Sequence, residues 1–316
     1  MNKVKEKFIA AVDGGGTKTI AVISNLNGEI IGEGVSGSSN PRNVGISRSV
    51  DNIVDSVILA LDSKNVKLDL LLVGIASLAE EFQDRTAEIE KKIKDHIKLR
   101  KVFKGRVRVV SDQLVAFNSG TDKKEGVVVI SGTGSVARGW KGKKDIKVSG
   151  WGWLADEGSA FWVGHKVYST TMKAIDGREK RSLLVDMVIK ELKIKDAVDY
   201  NKKIYSNNLT EVIPYFSIIA DKAALGGDKS AINIFKEAGK ELALSANTVI
   251  KKLGFNKDFP LVLVGGMFKS KYLLVSFKKE VKKHNPLVKI IVPKNGPVFG
   301  AVKLAIGQIN EGIKKS

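Results

Sequence analysis

Short apolar runs alternate with polar turns through the first third of the chain. Phe8–Val12, Ile20–Ser24 and Ile30–Val35 read as three strands joined by hairpin turns. A helical repeat follows over Ile46–Leu61, then a strand at Leu70–Ile75 and a helix over Glu81–His96. A strand at Val107–Ser111 leads into a short helix from Asp112. Three hairpin-linked strands followed by alternating helix and strand predict a mixed sheet covered by helices.

At Gly126 the pattern restarts. Strands are expected at Val127–Ile130, Val136–Trp140 and Ile146–Val148, and helices dominate from Glu157 to Leu253. Strands return at Leu261–Val264 and Lys289–Val292, and a last helix runs from Val298 toward Ile309. The two series match, and Asp13 and Ser131 stand at equivalent points, each opening a glycine turn between strands. This pattern predicts a duplicated α/β domain, 1–120 and 121–316, with the polar segment Gly120–Glu125 as boundary and the last helix packing back near the hinge. The other reading of that segment is a surface loop inside one domain.

The turns carry the candidate chemistry. In Asp13-Gly14-Gly15-Gly16-Thr17-Lys18-Thr19, glycines let backbone amides converge on an anion, and the carboxylate at the strand end can hold a hydrated Mg²⁺ beside phosphates. Ser131-Gly132-Thr133-Gly134-Ser135 is the second such turn. Its glycines formally fit a dinucleotide fingerprint, but Arg138-Gly139-Trp140-Lys141-Gly142-Lys143 is poor helix, and that fingerprint needs a helix there. No P-loop run is present.

Asp112, at the carboxyl end of its strand, is either a helix cap or a general base for a substrate hydroxyl. Gly150-Trp151-Gly152-Trp153-Leu154-Ala155-Asp156-Glu157-Gly158-Ser159 joins aromatic faces to acids, which suits a sugar; a core tryptophan and a capped helix start are the alternative. Pro41 forces Asn40 into an extended conformation, where its amide could bind vicinal hydroxyls or simply serve a turn. Gly265-Gly266 after Leu261–Val264 offers bare backbone to a nucleoside or a tight strand–helix junction.

Composition narrows the classes. The 316 residues are 43% hydrophobic and 28% charged, an ordinary globular balance. No apolar stretch approaches the roughly 20 residues of a membrane helix, and the basic start Met1–Lys7 precedes too short an apolar run for a signal peptide. A cytoplasmic protein is expected. The absence of cysteine excludes disulfides, zinc-thiolate sites and thiolate-held iron–sulfur clusters. The net charge of +19 comes from lysines interleaved with acids, as in Glu88–Lys101, so nucleic acid is not expected as the main partner. His96, His165 and His284 match no metal spacing.

Taken together, these motifs resemble the N-acetylglucosamine kinase family of the actin-like ATPase (sugar kinase) superfamily, to which archaeal broad-specificity hexokinases and ATPase activators of acyl-CoA reductases are related. The resemblance spans nearly the whole chain. It implies two ribonuclease-H-like domains with a cleft between them. It implies that Asp13 organises Mg²⁺ through water, and that Gly15, Gly16, Thr17 and Lys18, with Gly132, Thr133 and Gly134, hold the ATP phosphates. It makes Asp112 the base and Asn40 a sugar ligand, with Ser135, Gly150, Trp151, Gly152 and Asp156 lining the sugar pocket. Ala224, Gly265 and Ser270 fall on the adenosine side, and Pro297-Val298-Phe299-Gly300-Ala301 at the hinge. The chain departs from the family pattern at Ala155, where glycine is usual, in a tryptophan-to-Asp156 spacing one residue short, and in Gly74-Ile75-Ala76-Ser77-Leu78-Ala79, which is poorer in glycine.

The expected function is an ATP-dependent sugar kinase acting on the primary hydroxyl of a hexose or N-acetylhexosamine, a homodimer by default. The rivals are an ATPase acting on a protein partner and a non-catalytic nucleotide- or sugar-binding regulator. Reductase activators hold an iron–sulfur cluster through cysteines, which this chain lacks.

Overall fold

The structure is a computed structural model that describes residues 7–62, 64, 66–78 and 82–313. The basic residues before Lys7, Ala79, and the expected helix start at Glu81 lie outside the described residues.

The chain divides into two compact units. One runs to Lys123 and takes in the chain from Pro293 on; the other is Lys124–Val292. The first is built on strands β1 (Phe8–Gly14), β2 (Thr19–Asn25), β3 (Ile30–Ser36), β4 (Leu68–Ile75) and β5 (Arg106–Ser111). Their order is β3-β2-β1-β4-β5, with β1–β2 and β2–β3 antiparallel and β1–β4 and β4–β5 parallel. Its helices are α1 (Pro41–Leu61), α2 (Thr86–Asp95), α3 (Asp112–Gly120) and, from the end of the chain, α10 (Val298–Ile313).

Strict alternation explains why this sheet is covered on both faces. Ala10 and Val12 of β1 join the core under α1 and α2, whereas Ile9 and Ala11 join the core under α10. Val298, Ala301, Val302, Ala305 and Ile309 give α10 a buried stripe at helical spacing. Gly300 lets it cross α3 closely, since a Cβ there would overlap the Val115 carbonyl and stand 2.6 Å from Ser119 N. Residues from Pro293 on, assigned to the second domain by chain order, thus pack with the first sheet.

The second unit repeats the topology with β6 (Gly126–Ser131), β7 (Ser135–Lys141), β8 (Lys144–Ser149), β9 (Phe259–Val264) and β10 (Val288–Ile291), in the order β10-β9-β6-β7-β8. Strands β6, β7 and β8 pair antiparallel, and β6–β9 and β9–β10 pair parallel. Between β8 and β9 lie α4 (Ala160–Ile175), α5 (Leu183–Leu192), α6 (Ala197–Tyr205), α7 (Leu209–Leu225) and α8 (Lys229–Leu253); α9 (Lys271–His284) precedes β10. Their apolar faces form one core with the sheet around Val127, Val129, Phe216, Phe235 and Leu261.

Helix α1 begins at Pro41, five residues before the apolar repeat announces it. Asn40 caps it in extended conformation and Pro41 takes the first turn, where a missing N–H costs nothing. Gly45, at φ 75°, breaks the helical geometry and conceals this first turn from the pattern. Among the described residues no helix is long and apolar enough to cross a membrane.

Candidate active site

In the first unit, the carboxyl ends of β1, β4 and β5 finish level: Gly14 pairs with Ile75, and Ile75 with Ser111. This register places Asp13, near the end of β1, and Asp112, just past the end of β5, at the same carboxyl end of the sheet, two strands apart. The glycine turn leaves from that end. The Gly14 carbonyl accepts from Ala76 N–H at 2.9 Å, and Gly15 N–H donates to Lys18 O at 3.0 Å. The Gly15 carbonyl accepts from Ser39 N–H (3.2 Å) and the Ser38 hydroxyl (3.3 Å), and the Gly16 carbonyl from Asn43 Nδ2 (3.4 Å).

In a trans peptide the next N–H points opposite the carbonyl. The N–H groups of Gly16 and Thr17 are therefore turned away from the 38–43 segment, along a turn whose residues 16–18 are exposed. A Cβ on Gly14 would overlap the Ser39 hydroxyl and stand 2.7 Å from the Gly74 carbonyl, so glycine is obligatory there.

Burial raises the Asp13 carboxyl to about 6, with Lys18 pulling the other way. Among the described residues no group of three or more His, Cys, Asp and Glu could hold a metal, so a direct carboxylate cage is absent. Asp112 opens α3, but the helix is capped by Ser111, whose hydroxyl accepts from Leu114 N–H. The plain capping role therefore does not account for Asp112. Asn40 spends its Oδ1 on Arg42 N–H at 3.0 Å, while its Nδ2 lies 3.9 Å from where a Cβ of Gly16 would stand. Asn43, which chain order gave no reason to single out, reaches the same turn.

In the second unit, the Gly132 carbonyl accepts from Ala160 N–H (2.8 Å) and the Thr133 carbonyl from Phe161 N–H (3.3 Å), both at the start of α4. The N–H groups of Thr133 and Gly134 accordingly point away from that helix. The hydroxyls of Ser131 and Ser135 donate to the Gly158 and Glu157 carbonyls at 3.0 and 2.7 Å, sewing the turn to the segment before α4. Ser135 is thereby buried.

Asp156 sits at the centre of this group. Its Oδ1 accepts from the N–H of Gly150 (3.0 Å), Trp151 (2.9 Å) and Gly152 (3.3 Å), and its Oδ2 from Ser135 N–H (3.3 Å). Burial pushes its carboxyl up, and the four amides pull it down. Lys147 donates to the Gly150 carbonyl at 3.0 Å and lies 3.9 Å from the Trp151 ring centre. Trp151 itself is 68% exposed.

Gly265 follows β9, beside Ser131. Ser270 caps α9, buried, with a hydroxyl that has no partner among the described residues. Ala224 is wholly buried near the end of α7, its carbonyl accepting from Gly227 N–H. Of the three histidines, His96 lies 3.2 Å from Asp51 and serves packing between α2 and α1.

Comparison with known proteins follows this geometry. The chain is 32% identical over 315 residues to the N-acetylmuramic acid/N-acetylglucosamine kinase of Clostridium acetobutylicum, covering 95% of this chain and 98% of that one. It is 28% identical over 321 residues to the N-acetyl-D-glucosamine kinase of Dictyostelium discoideum, covering 96% and 98%. A solved structure from Chromobacterium violaceum, provisionally named an N-acetylglucosamine kinase, superposes with a TM-score of 0.74 at 19% identity over 95% of this chain and 98% of that one. At that identity the likeness speaks for the fold, which is the two-domain actin-like ATPase fold. The sequence profile of the BadF/BadG/BcrA/BcrD ATPase family matches residues 11–305, nearly the full length. The chain belongs to the BadF/BadG/BcrA/BcrD ATPase family.

Proposed function

We propose that this protein is an ATP-dependent kinase that phosphorylates the primary hydroxyl of an N-acetylhexosamine or related hexose. The observation that carries the reading is the shared carboxyl end of the sheet: Asp112 follows Ser111, which is level with Gly14 of the first glycine turn, in a helix start whose cap is Ser111. Relatives named as kinases of N-acetylated amino sugars, similar over almost the whole length, support the substrate class.

Asp112 would accept the proton of the sugar hydroxyl as its oxygen bonds to the γ-phosphorus and the bond to the β-phosphate oxygen breaks. The outward N–H groups of the two turns, with Lys18, would offer hydrogen bonds and charge to phosphate oxygens, chemistry that is mostly positioning and electrostatics. Asn40, the Gly150–Gly152 loop, Ser135 and Asp156 would shape the acceptor side. Gly265, Ser270 and Ala224 would lie on the adenosine side, the buried Ser270 hydroxyl being a ready partner for a nucleoside.

A hydrated Mg²⁺ fits Asp13: one carboxylate at the turn, ionised above about pH 6, suits an ion held through water rather than caged by several acids. When bound, the ion would neutralise phosphate charge. The two compact units, the first closed by the end of the chain from Pro293 on, would be the two duplicated domains, in a cytoplasmic homodimer.

A coupled ADP-release assay across glucose, mannose, glucosamine, N-acetylglucosamine and N-acetylmuramic acid tests the reading. ADP release should depend on acceptor and be fastest with an N-acetylated sugar. Steady phosphate release that ignores every sugar would favour an ATPase acting on a protein partner.

A further inference from the structure

Asp156 makes none of its hydrogen bonds outward. Three consecutive N–H groups, from Gly150, Trp151 and Gly152, converge on Oδ1, an arrangement of backbone that ordinarily makes an anion-binding nest. Here the anion is internal. The other oxygen takes Ser135 N–H, at the start of the strand leaving the phosphate turn. That oxygen also lies 2.6 Å from where a Cβ of Gly134 would stand, so the turn rests on the carboxylate only because residue 134 has no side chain.

The residue is 5% exposed. Around it the backbone is held in left-handed geometry, at Ser149 (φ 63°), Gly150 (φ 77°) and Gly152 (φ 116°). A non-glycine residue at positive φ persists only when its surroundings hold it there. Three amide donors hold one oxygen, and Ser135 N–H with the glycine turn stands against the other, so every hydrogen bond the carboxylate makes goes to this backbone.

We infer that Asp156 is a positioning residue that ties the Gly150–Gly152 loop to the phosphate turn at Gly132–Ser135, so that the binding geometry of each depends on the other. The identity of the two ligands rests on the kinase reading; the mechanical tie does not. A direct sugar ligand would serve the acceptor alone. A link through Asp156 makes nucleotide affinity depend on the order of a loop that the nucleotide need not touch.

The test uses the full chain with ADP and N-acetylglucosamine titrated separately, each without the other, alongside thermal melting. Asp156→Asn puts an NH2 group among amide donors and removes the charge. It should weaken both ligands by about tenfold or more, as loss of charge-assisted hydrogen bonds does. Weakening of the sugar alone would make Asp156 a direct ligand and overturn the coupling, and so would unchanged affinity for both. If that variant fails to fold, Gly152→Ala, which strains the loop at φ 116° away from the turn, should still weaken ADP. Normal ADP affinity in a folded Gly152→Ala protein overturns the proposal. Should the wild-type chain bind no sugar, the kinase reading fails, and the ADP measurements still decide the coupling.

Discussion

Gly265 lies with its α-carbon against the backbone of Ser131, joining the end of β9 to the base of the second glycine turn. A Cβ at Gly265 would overlap the Ser131 carbonyl oxygen and stand 2.6 Å from the carbonyl carbon. Its φ of 113° is also closed to other residues. Gly265→Ala should therefore destabilise the protein by about 2–4 kcal/mol, combining backbone strain with overpacking. Chemical denaturation followed by circular dichroism measures this; wild-type stability would show that the junction has slack the geometry denies.

Asp13 sets function against stability. Its carboxyl is raised from 3.8 to about 6 in the folded state. The folded protein thus holds that proton more tightly than the unfolded chain. The resulting stabilisation is complete below pH 3.8 and is lost as pH rises through 6, so the ionised group is a burden at pH 7. Asp13→Asn should raise stability at pH 7 by up to about 3 kcal/mol, less in so far as the group is partly solvated. The gain should vanish near pH 4, while phosphotransfer collapses. A variant no more stable than wild type at pH 7 contradicts this.

Two adjacent residues separate capping from catalysis. Ser111→Ala removes the α3 cap and should cost about 1 kcal/mol with turnover nearly intact. Asp112→Asn should cut turnover by about a hundredfold or more with ADP affinity preserved. Steady-state kinetics beside ADP titration distinguish them, and near-normal turnover in Asp112→Asn removes that residue from the mechanism.

Asn40 is open to a similar dissection. Its Oδ1 caps α1, and its amide nitrogen is left beside the first glycine turn. Asn40→Asp keeps a good cap, so stability should stay close to wild type. Loss of the N–H donors and the added charge should raise the sugar KM by about tenfold. An unchanged KM would confine Asn40 to the helix start.

The legible part of this protein was what depends on local periodicity. The unbroken apolar run Ile9–Val12 announced a strand covered on both faces, and glycines after Asp13 and Ser131 announced the turns. Pro41 announced that Asn40 is extended, though Gly45 hid the first turn of α1. What escaped depends on contacts between distant segments. The last helix was expected to pack back near the hinge; that it covers one face of the first sheet follows from Ile9, Ala11 and Val115 needing cover, which chain order does not reveal. Asp156 reads in the sequence as an acid of the sugar pocket, because backbone N–H groups that converge on a carboxylate leave no mark on side-chain pattern. Asn43 and Lys147 were passed over for the same reason.

The central claim is that ATP's γ-phosphoryl group is delivered to a sugar hydroxyl. Mass spectrometry of a single reaction with ATP, magnesium and N-acetylglucosamine, counting ADP, free phosphate and sugar phosphate together, tests it most directly. One sugar phosphate for each ADP, with negligible free phosphate, is the predicted result; ADP matched by free phosphate, at a rate indifferent to the sugar, would contradict it.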